Sequence, residues 1–208
     1  MNHIPCIGLV DDDAAFMRAL RRLLRAEGYT VNTWSSAEEL LAASHDGALD
    51  CLVLDMHLPG LNGLELQDRL AARGFDIPVI FLTGKGDIPT TVRAMRGGAV
   101  NFLTKPVTDE DLFAAVRSAL EIAARQRACQ EQVADVKKRH GTLTPREREV
   151  MTHLITGKLN KQIAADLGTS EQTIKVHRMR LLEKFGVRSI AELVRLAALL
   201  RIEPAAPG

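Results

Sequence analysis

The chain has 208 residues, 46% of them hydrophobic, with 27 Lys and Arg against 26 Asp and Glu. No apolar run approaches the ~18 residues a membrane-spanning helix needs. The opening MNHIPCIGLVDDD lacks the basic start and long apolar stretch of a signal peptide, so a cytoplasmic location is expected. The three cysteines form no C-x-x-C, and Cys6 and Cys51 sit in apolar runs where they read as buried small hydrophobes. Near neutrality hides an asymmetry. Residues 1–122 hold 11 Lys and Arg against 17 Asp and Glu, net −6; residues 123–208 hold 16 against 9, net +7. An acidic front suggests a cation or phosphoryl site and a basic back suggests a polyanion, although a solvated surface gives the same split.

Short apolar runs recur along the front half at Cys6–Val10, Thr30–Trp34, Cys51–Leu54, Val79–Leu82 and Asn101–Thr104. Helical patterns separate them. Phe16, Leu20, Leu23 and Leu24 line one face of a first helix that Gly28 closes. Ser36 to Glu39 is a capping box opening a second. Leu61, Leu64 and Leu70 mark a third, Val92 and Met95 a fourth, and Leu112, Phe113, Val116 and Leu120 a fifth. Strands alternating with helices predict an α/β doubly wound, five-stranded parallel sheet, whose ligands bind beyond the carboxyl ends of the strands.

At those ends stand Asp11, Asp12 and Asp13 after the first strand, Asp55 after the third, Thr83 after the fourth, and Lys105-Pro106 after the fifth. Carboxylates crowded together repel unless a hard cation lies among them. Mg²⁺ fits, since it takes oxygen ligands and typically meets one or two carboxylates plus a phosphate. A carboxylate can also act as a nucleophile and carry a phosphoryl group, whose charge Lys105 and Mg²⁺ would neutralise. Taken singly these residues are ordinary: Asp12 or Asp13 is expected to cap the first helix, and a lone strand-end Asp or a lone Lys is a surface charge. The constellation at successive strand ends is what carries specificity.

V-D-D-D at 10–13, L-D-M-H-L-P-G-L-N-G at 54–63, L-T-G-K-G-D-I at 82–88 and F-L-T-K-P at 102–106 resemble the receiver domains of two-component response regulators. The resemblance implies strand order 2-1-3-4-5. It makes Asp55 the phosphoacceptor, and it sets Asp11, Asp12 and Asp55 with the backbone carbonyl of His57 around Mg²⁺. Thr83 becomes the switch hydroxyl and Lys105 the phosphate-binding lysine. Phe102 stands at the aromatic switch position, where many relatives carry Tyr. The Lys105–Pro106 bond is expected to be cis, a state tolerated almost only before proline.

From Glu121 to His140 the chain is polar, with Arg127–Glu131 and Asp135–Arg139 at i,i+4 spacing, and it reads as an extension of the fifth helix. Thr144-Pro-Arg-Glu147 starts a helix with proline at its first position, and Val150, Leu154 and Ile155 form its stripe. Asn160 to Leu167 is a short helix, Gly168-Thr169 a turn, and Ser170 caps a longer helix to about Phe185. Ser189 to Glu192 opens a last helix with Leu193, Leu196 and Leu200. Two helices joined by a glycine-containing turn are a helix-turn-helix.

In its longer helix Ile174, Leu181, Leu182 and Phe185 point inward, while Gln172, Lys175, Val176 and Met179 share another face that can enter a major groove. Lys175 would donate to guanine, Gln172 would pair with adenine, and Val176 or Met179 would touch a thymine methyl. Lys161, Ser170, Arg178, Arg180, Lys184 and Arg188 are candidates for phosphate contacts, which position without specifying. His177 reads as a packing residue. The bland alternative is an amphipathic helix with a solvated basic face.

L-T-P-R-E-R-E-V at 143–150, N-K-Q-I-A at 160–164 and T-I-K-V-H-R at 173–178 resemble the LuxR-type effector domains of the NarL/FixJ class. G-D-I-P-T-T-V-R-A-M-R-G-G-A-V is similar to the FixJ-like branch. The combined resemblance implies a receiver over 1–122, a helical linker over 123–141 and an all-α DNA-binding domain over 142–208. Its partners would be a sensor histidine kinase, double-stranded DNA at paired half-sites, and a second copy of the chain, with no membrane. Dimerisation would use the fourth-helix and fifth-strand face, including Val92 and Arg96. An aspartyl phosphohydrolase is the enzymatic rival, but it favours D-x-D where this chain has Asp55-x-His57, and it leaves the helix-turn-helix unexplained. A regulator that binds DNA without phosphorylation is a third reading, against which the intact acidic and lysine set argues.

Overall fold

A computed structural model describes residues 3–43, 49–84 and 98–205. The helix expected at Val92 and Met95, and the proposed dimer face at Val92 and Arg96, lie outside these residues. The chain divides into two compact units, Met1–Arg127 and Ala128–Gly208.

The first unit is built on strands β1 (Cys6–Val10), β2 (Thr30–Trp34), β3 (Cys51–Asp55), β4 (Val79–Thr83) and β5 (Asn101–Thr104). All pairs are parallel, in the order β2-β1-β3-β4-β5. β3 and β4 are buried along their whole length, as strands covered on both faces must be. Alternation then sorts their side chains. Leu52, Leu54, Val79 and Phe81 join helices α2 (Ala37–Ala42) and α3 (Gly63–Ala72) on one face. Val53, Ile80 and Leu82 join α1 (Ala14–Ala26) and the start of α4 (Asp109–Gly141) on the other.

Helix starts follow the sequence closely. Asp13 caps α1 by accepting from the backbone N–H of Ala15 and Phe16, and Ser36 caps α2. The third helix begins later than the leucine pattern suggests. Asn62 and Glu65 form a capping box, so Leu61 lies ahead of α3 and packs as a buried loop residue. The polar stretch 123–141 lies within α4, which runs unbroken for 33 residues.

The second unit contains α5 (Pro145–Leu154), α6 (Asn160–Asp166), α7 (Glu171–Phe185) and α8 (Ile190–Leu199). Val136 from α4, Val150, Leu154, Ile163, Ile174, Leu181, Phe185 and Leu193 form its core. Thr144 and Glu147 close a capping box with proline in the first turn of α5, and Gly168 at φ +60 makes the turn between α6 and α7. Leu200, expected on the last helix, is its cap residue.

One close approach ties the fold to its carboxylates. A Cβ on Gly63 would lie 2.7 Å from the backbone oxygen of Asp55, 3.0 Å from the Phe81 ring and 3.2 Å from the Met56 Cα. Only glycine lets α3 start against the end of β3. Gly63→Ala should therefore destabilise the first unit by about 1–3 kcal/mol through overpacking, read as a lower urea midpoint at unchanged slope.

Candidate phosphoacceptor site and DNA-reading helix

Parallel strands deliver their carboxyl ends to one edge of the sheet, and the expected residues arrive with them. Asp11 follows β1, Asp55 ends β3, Thr83 ends β4, and Lys105 follows β5. Asp11 is 3% exposed and Asp55 5% exposed, so both carboxylates have surrendered most of their water. Lys105 replaces it. Its Nζ lies 2.6 Å from Asp11 Oδ2 and 2.8 Å from Asp55 Oδ1. Partial burial pushes the Lys105 pKa down, but its hydrogen bonds to Asp11 and Asp55 outweigh this and hold it above the ordinary lysine value. Backbone donors complete the pair. Asp13 N–H donates to Asp11 Oδ1 at 2.9 Å, and His57 N–H donates to Asp55 Oδ2 at 2.8 Å.

Lys105 is itself fixed from two sides. Its backbone N–H donates to the Thr83 carbonyl at 2.7 Å, and the peptide bond to Pro106 is cis. Beneath the ammonium lies the Phe16 ring, 4.7 Å from Nζ to centroid, a distance at which the ring quadrupole attracts a cation. Phe16 was legible only as part of the apolar stripe of α1. Its place one turn after the acidic run was the available hint that it would reach the strand ends.

Asp12 is exposed and, with Asp55, His57, Gly84 and Lys105, lines an open cleft of about 450 Å³. Thr83 is fully buried at the end of β4. Phe102 is set apart from the carboxylates: it is half-buried in β5, paired in register with Phe81, and packs on the α2–α3 face. Among the described residues no three His, Cys, Asp or Glu side chains close around one point. Mg²⁺ does not require such a cage, because it keeps several waters and meets one or two carboxylates. An all-oxygen, acidic, open-sided donor set fits that ion.

Cys51 is buried and its thiol is pushed up to about 12 by desolvation, so it is an inert core residue. Cys6 is less enclosed than expected, and its sulfur accepts a 3.5 Å hydrogen bond from Asn32.

In the second unit, α7 presents two faces. Ile174, Leu181 and Phe185 are buried, while Gln172, Lys175, Met179 and Arg180 are exposed and Val176 and Arg178 half-buried. Met179 is 61% exposed, an apolar side chain left in water on the face predicted to read DNA. Lys175 lies 3.3 Å from Glu171 in an exposed pair, worth little in water and readily exchanged for a base. Lys161 is exposed on α6. Arg178 makes a 3.4 Å contact to Asn160 beside it. Ser170 is exposed and caps α7 by accepting from the Thr173 N–H.

His177 is half-buried, as a packing residue should be. Lys184 departs from its expected phosphate role. It donates to buried Glu147 at 2.6 Å and to the Thr142 carbonyl at 3.0 Å, joining α7 to the start of α5.

Residues 7–117 match the family described as "Response regulator receiver domain", and residues 141–197 match "Bacterial regulatory proteins, luxR family". The chain belongs to the NarL/FixJ family of response regulators. It is 46% identical over 194 residues to Nodulation protein W of Bradyrhizobium diazoefficiens, covering 93% of this chain and 86% of that one. It is 41% identical over 199 residues to the transcriptional regulatory protein FixJ of Azorhizobium caulinodans, covering 96% and 94%. Among solved structures it resembles the response regulator StyR at 42% identity and TM-score 0.80, covering 94% of this chain and 99% of that one. Full-length FixJ from B. japonicum follows the same fold, with 38% identity, TM-score 0.59 and coverage of 97% and 99%. The protein is a two-component response regulator with a DNA-binding, LuxR-type transcriptional output, and its family is not one of enzymes. No helix among its described residues is long and apolar enough to cross a membrane.

Within the output domain, the Glu147–Lys184 pair has a definite pH signature. The hydrogen bond from Lys184, opposed by burial and helped by Thr144, holds the Glu147 carboxyl below its usual range. A lowered native pKa contributes stability that is present above the ordinary carboxylate value and lost as pH falls through the lowered one. Lys184→Met should cost about 1–3 kcal/mol at neutral pH by leaving a buried carboxylate short of its partner. The deficit relative to wild type should shrink as the solution is acidified through pH ~4, in urea unfolding followed at several pH values.

Proposed function

We propose that the regulator is switched by phosphorylation of Asp55. The observation carrying this reading is the single ammonium of Lys105 shared by Asp11 and Asp55 at the carboxyl edge of the sheet. An Asp55 carboxylate oxygen attacks the phosphorus of a phosphohistidine on a sensor kinase. The P–O bond forms as the P–N bond breaks, and the electron pair returns to the imidazole. Lys105 then exchanges its bond to the Asp55 carboxylate for one to a phosphoryl oxygen, while Asp11 keeps the ammonium in place. Asp11, Asp12, Asp55 and the backbone carbonyl of His57 would hold Mg²⁺, which when bound neutralises charge on the phosphoryl oxygens. Burial of Asp11 and Asp55 makes their charge contacts stronger than they would be in water.

Thr83 turns its hydroxyl to the new phosphoryl group, and Phe102 moves inward behind it. The receiver, assigned to 1–122, then dimerises on the face that includes Val92 and Arg96, with 123–141 leading to a DNA-binding domain over 142–208. Two copies of α7 reach adjacent half-sites together, and the second binding event gains from effective concentration. Lys175 and Gln172 read base edges, Val176 and Met179 meet thymine methyls, and Lys161, Ser170, Arg178 and Arg180 hold phosphates. Reaction partners are thus a histidine kinase, double-stranded promoter DNA and a second copy of the chain, all in the cytoplasm.

Incubation with acetyl phosphate and Mg²⁺ should add one phosphoryl group per chain by intact-mass measurement and shift the protein towards dimer in sedimentation. Asp55→Asn should abolish both responses; a dimer that still forms on phosphoryl-donor treatment would falsify the scheme. Lys175→Ala should weaken binding to a selected operator by roughly 1–3 kcal/mol and relax preference at one base position. A uniform loss over all sequences would instead make Lys175 a phosphate contact.

A further inference from the structure

Asp50 is a further buried carboxylate of the first unit, and the phosphoacceptor chemistry does not use it. It is 2% exposed and directly precedes β3, the strand that Asp55 terminates. Three groups converge on it. Its Oδ2 accepts from the Cys6 backbone N–H at 2.8 Å and lies 2.8 Å from His3 Nε2. Its Oδ1 is paired with the Arg127 guanidinium. Asp50 also donates its own N–H to the Cys6 carbonyl at 2.8 Å. A carboxylate this enclosed is tolerable only while its donors stay, so Arg127 is held by the cost of leaving that charge bare.

Arg127 lies beyond the receiver family match, which ends at residue 117, on the same α4 that continues to Gly141. The last buried residue of α4 before it is Ala123. From Ala128 to Asp135 no side chain is buried, and burial resumes at Val136. Arg127 is therefore the final receiver anchor of the helix that connects the two units. β3 thus carries an ion-paired carboxylate at each end. Asp55 grips Lys105, just ahead of α4, and Asp50 grips Arg127, well along α4.

We propose that Asp50–Arg127 is a latch that fastens the connecting helix to the base of β3, and that it is released or tightened according to the phosphoryl state of Asp55. The second half rests on the phosphoacceptor reading above. When Lys105 trades its partner at one end of β3, the strand and the start of α4 shift together, and the pair at the other end registers that shift. The latch thereby sets how firmly the connecting helix is held while the output domain searches for DNA.

Hydrogen exchange on the full-length chain tests both halves, with beryllofluoride and Mg²⁺ as the phosphoryl mimic. Arg127→Gln is the primary variant, because it removes the guanidinium while His3 and the Cys6 N–H still bond Asp50; Asp50→Asn attacks the same pair from the buried side. In the unmodified protein, Arg127→Gln should speed exchange in peptides spanning 120–127 by about tenfold while leaving 51–56 untouched. The mimic should alter both regions in wild type but only 51–56 in the variant. Equal exchange of 120–127 in wild type and Arg127→Gln overturns the latch. A mimic response at 120–127 that survives in both variants overturns its coupling to Asp55. If the mimic changes nothing even at 51–56, the phosphoacceptor reading and the coupling fail together, and the comparison without mimic alone decides whether the fastening exists.

Discussion

Two carboxylates drawn out of water to the same edge of a sheet repel each other, and the receiver answers this with one lysine. Asp11 and Asp55 are almost fully buried, and Lys105 Nζ sits within 2.8 Å of both. Everything nearby serves that ammonium. The backbone of Lys105 is bonded to Thr83, its side chain rests on Phe16, and the backbone amides of Asp13 and His57 take up remaining lone pairs of the carboxylates. Such a balance is poised. A new anionic group beside either carboxylate would change the best position for the ammonium, because both buried acids depend on it.

The same logic recurs away from the chemistry. Glu147, buried in the output domain, is matched by Lys184 of α7. Asp50, buried at the base of β3, is matched by Arg127 of the connecting helix. In each case a cation on a helix answers a buried acid on a different segment. Removal of one partner is costly, whereas removal of both is not, which makes these pairs good fasteners and useful reporters of movement.

The acidic half reads in this light as a scaffold for a few buried carboxylates, and the basic half as a surface left free for a polyanion. Their division is chemical as well as structural. Lys105, Arg127 and Lys184 are consumed inside their own units, while Lys161, Lys175 and Arg180 remain on the outside of the helix-turn-helix. Met179, strongly exposed between these cations, adds an apolar element to the same face.

The strands, most helix starts and the parallel character of the sheet could be read from the chain because they rest on local signals, whereas the strand order came from the resemblance to receiver domains. Alternation with helices demanded a doubly covered sheet, and Asp13, Ser36, Thr144, Ser170 and Ser189 announced the helices they cap. The strand-end placement of Asp11, Asp55, Thr83 and Lys105 followed from that topology. What the chain alone left open were partnerships between distant residues. Lys184 looked like a free surface cation until its carboxylate was found 37 positions away, and Phe16 looked like core until it lay under Lys105. Spacing along a chain reports which face a side chain takes, since helix and strand periods are local. Which charge neutralises which is decided only when tertiary packing excludes water and brings a cation from a distant segment against the buried acid.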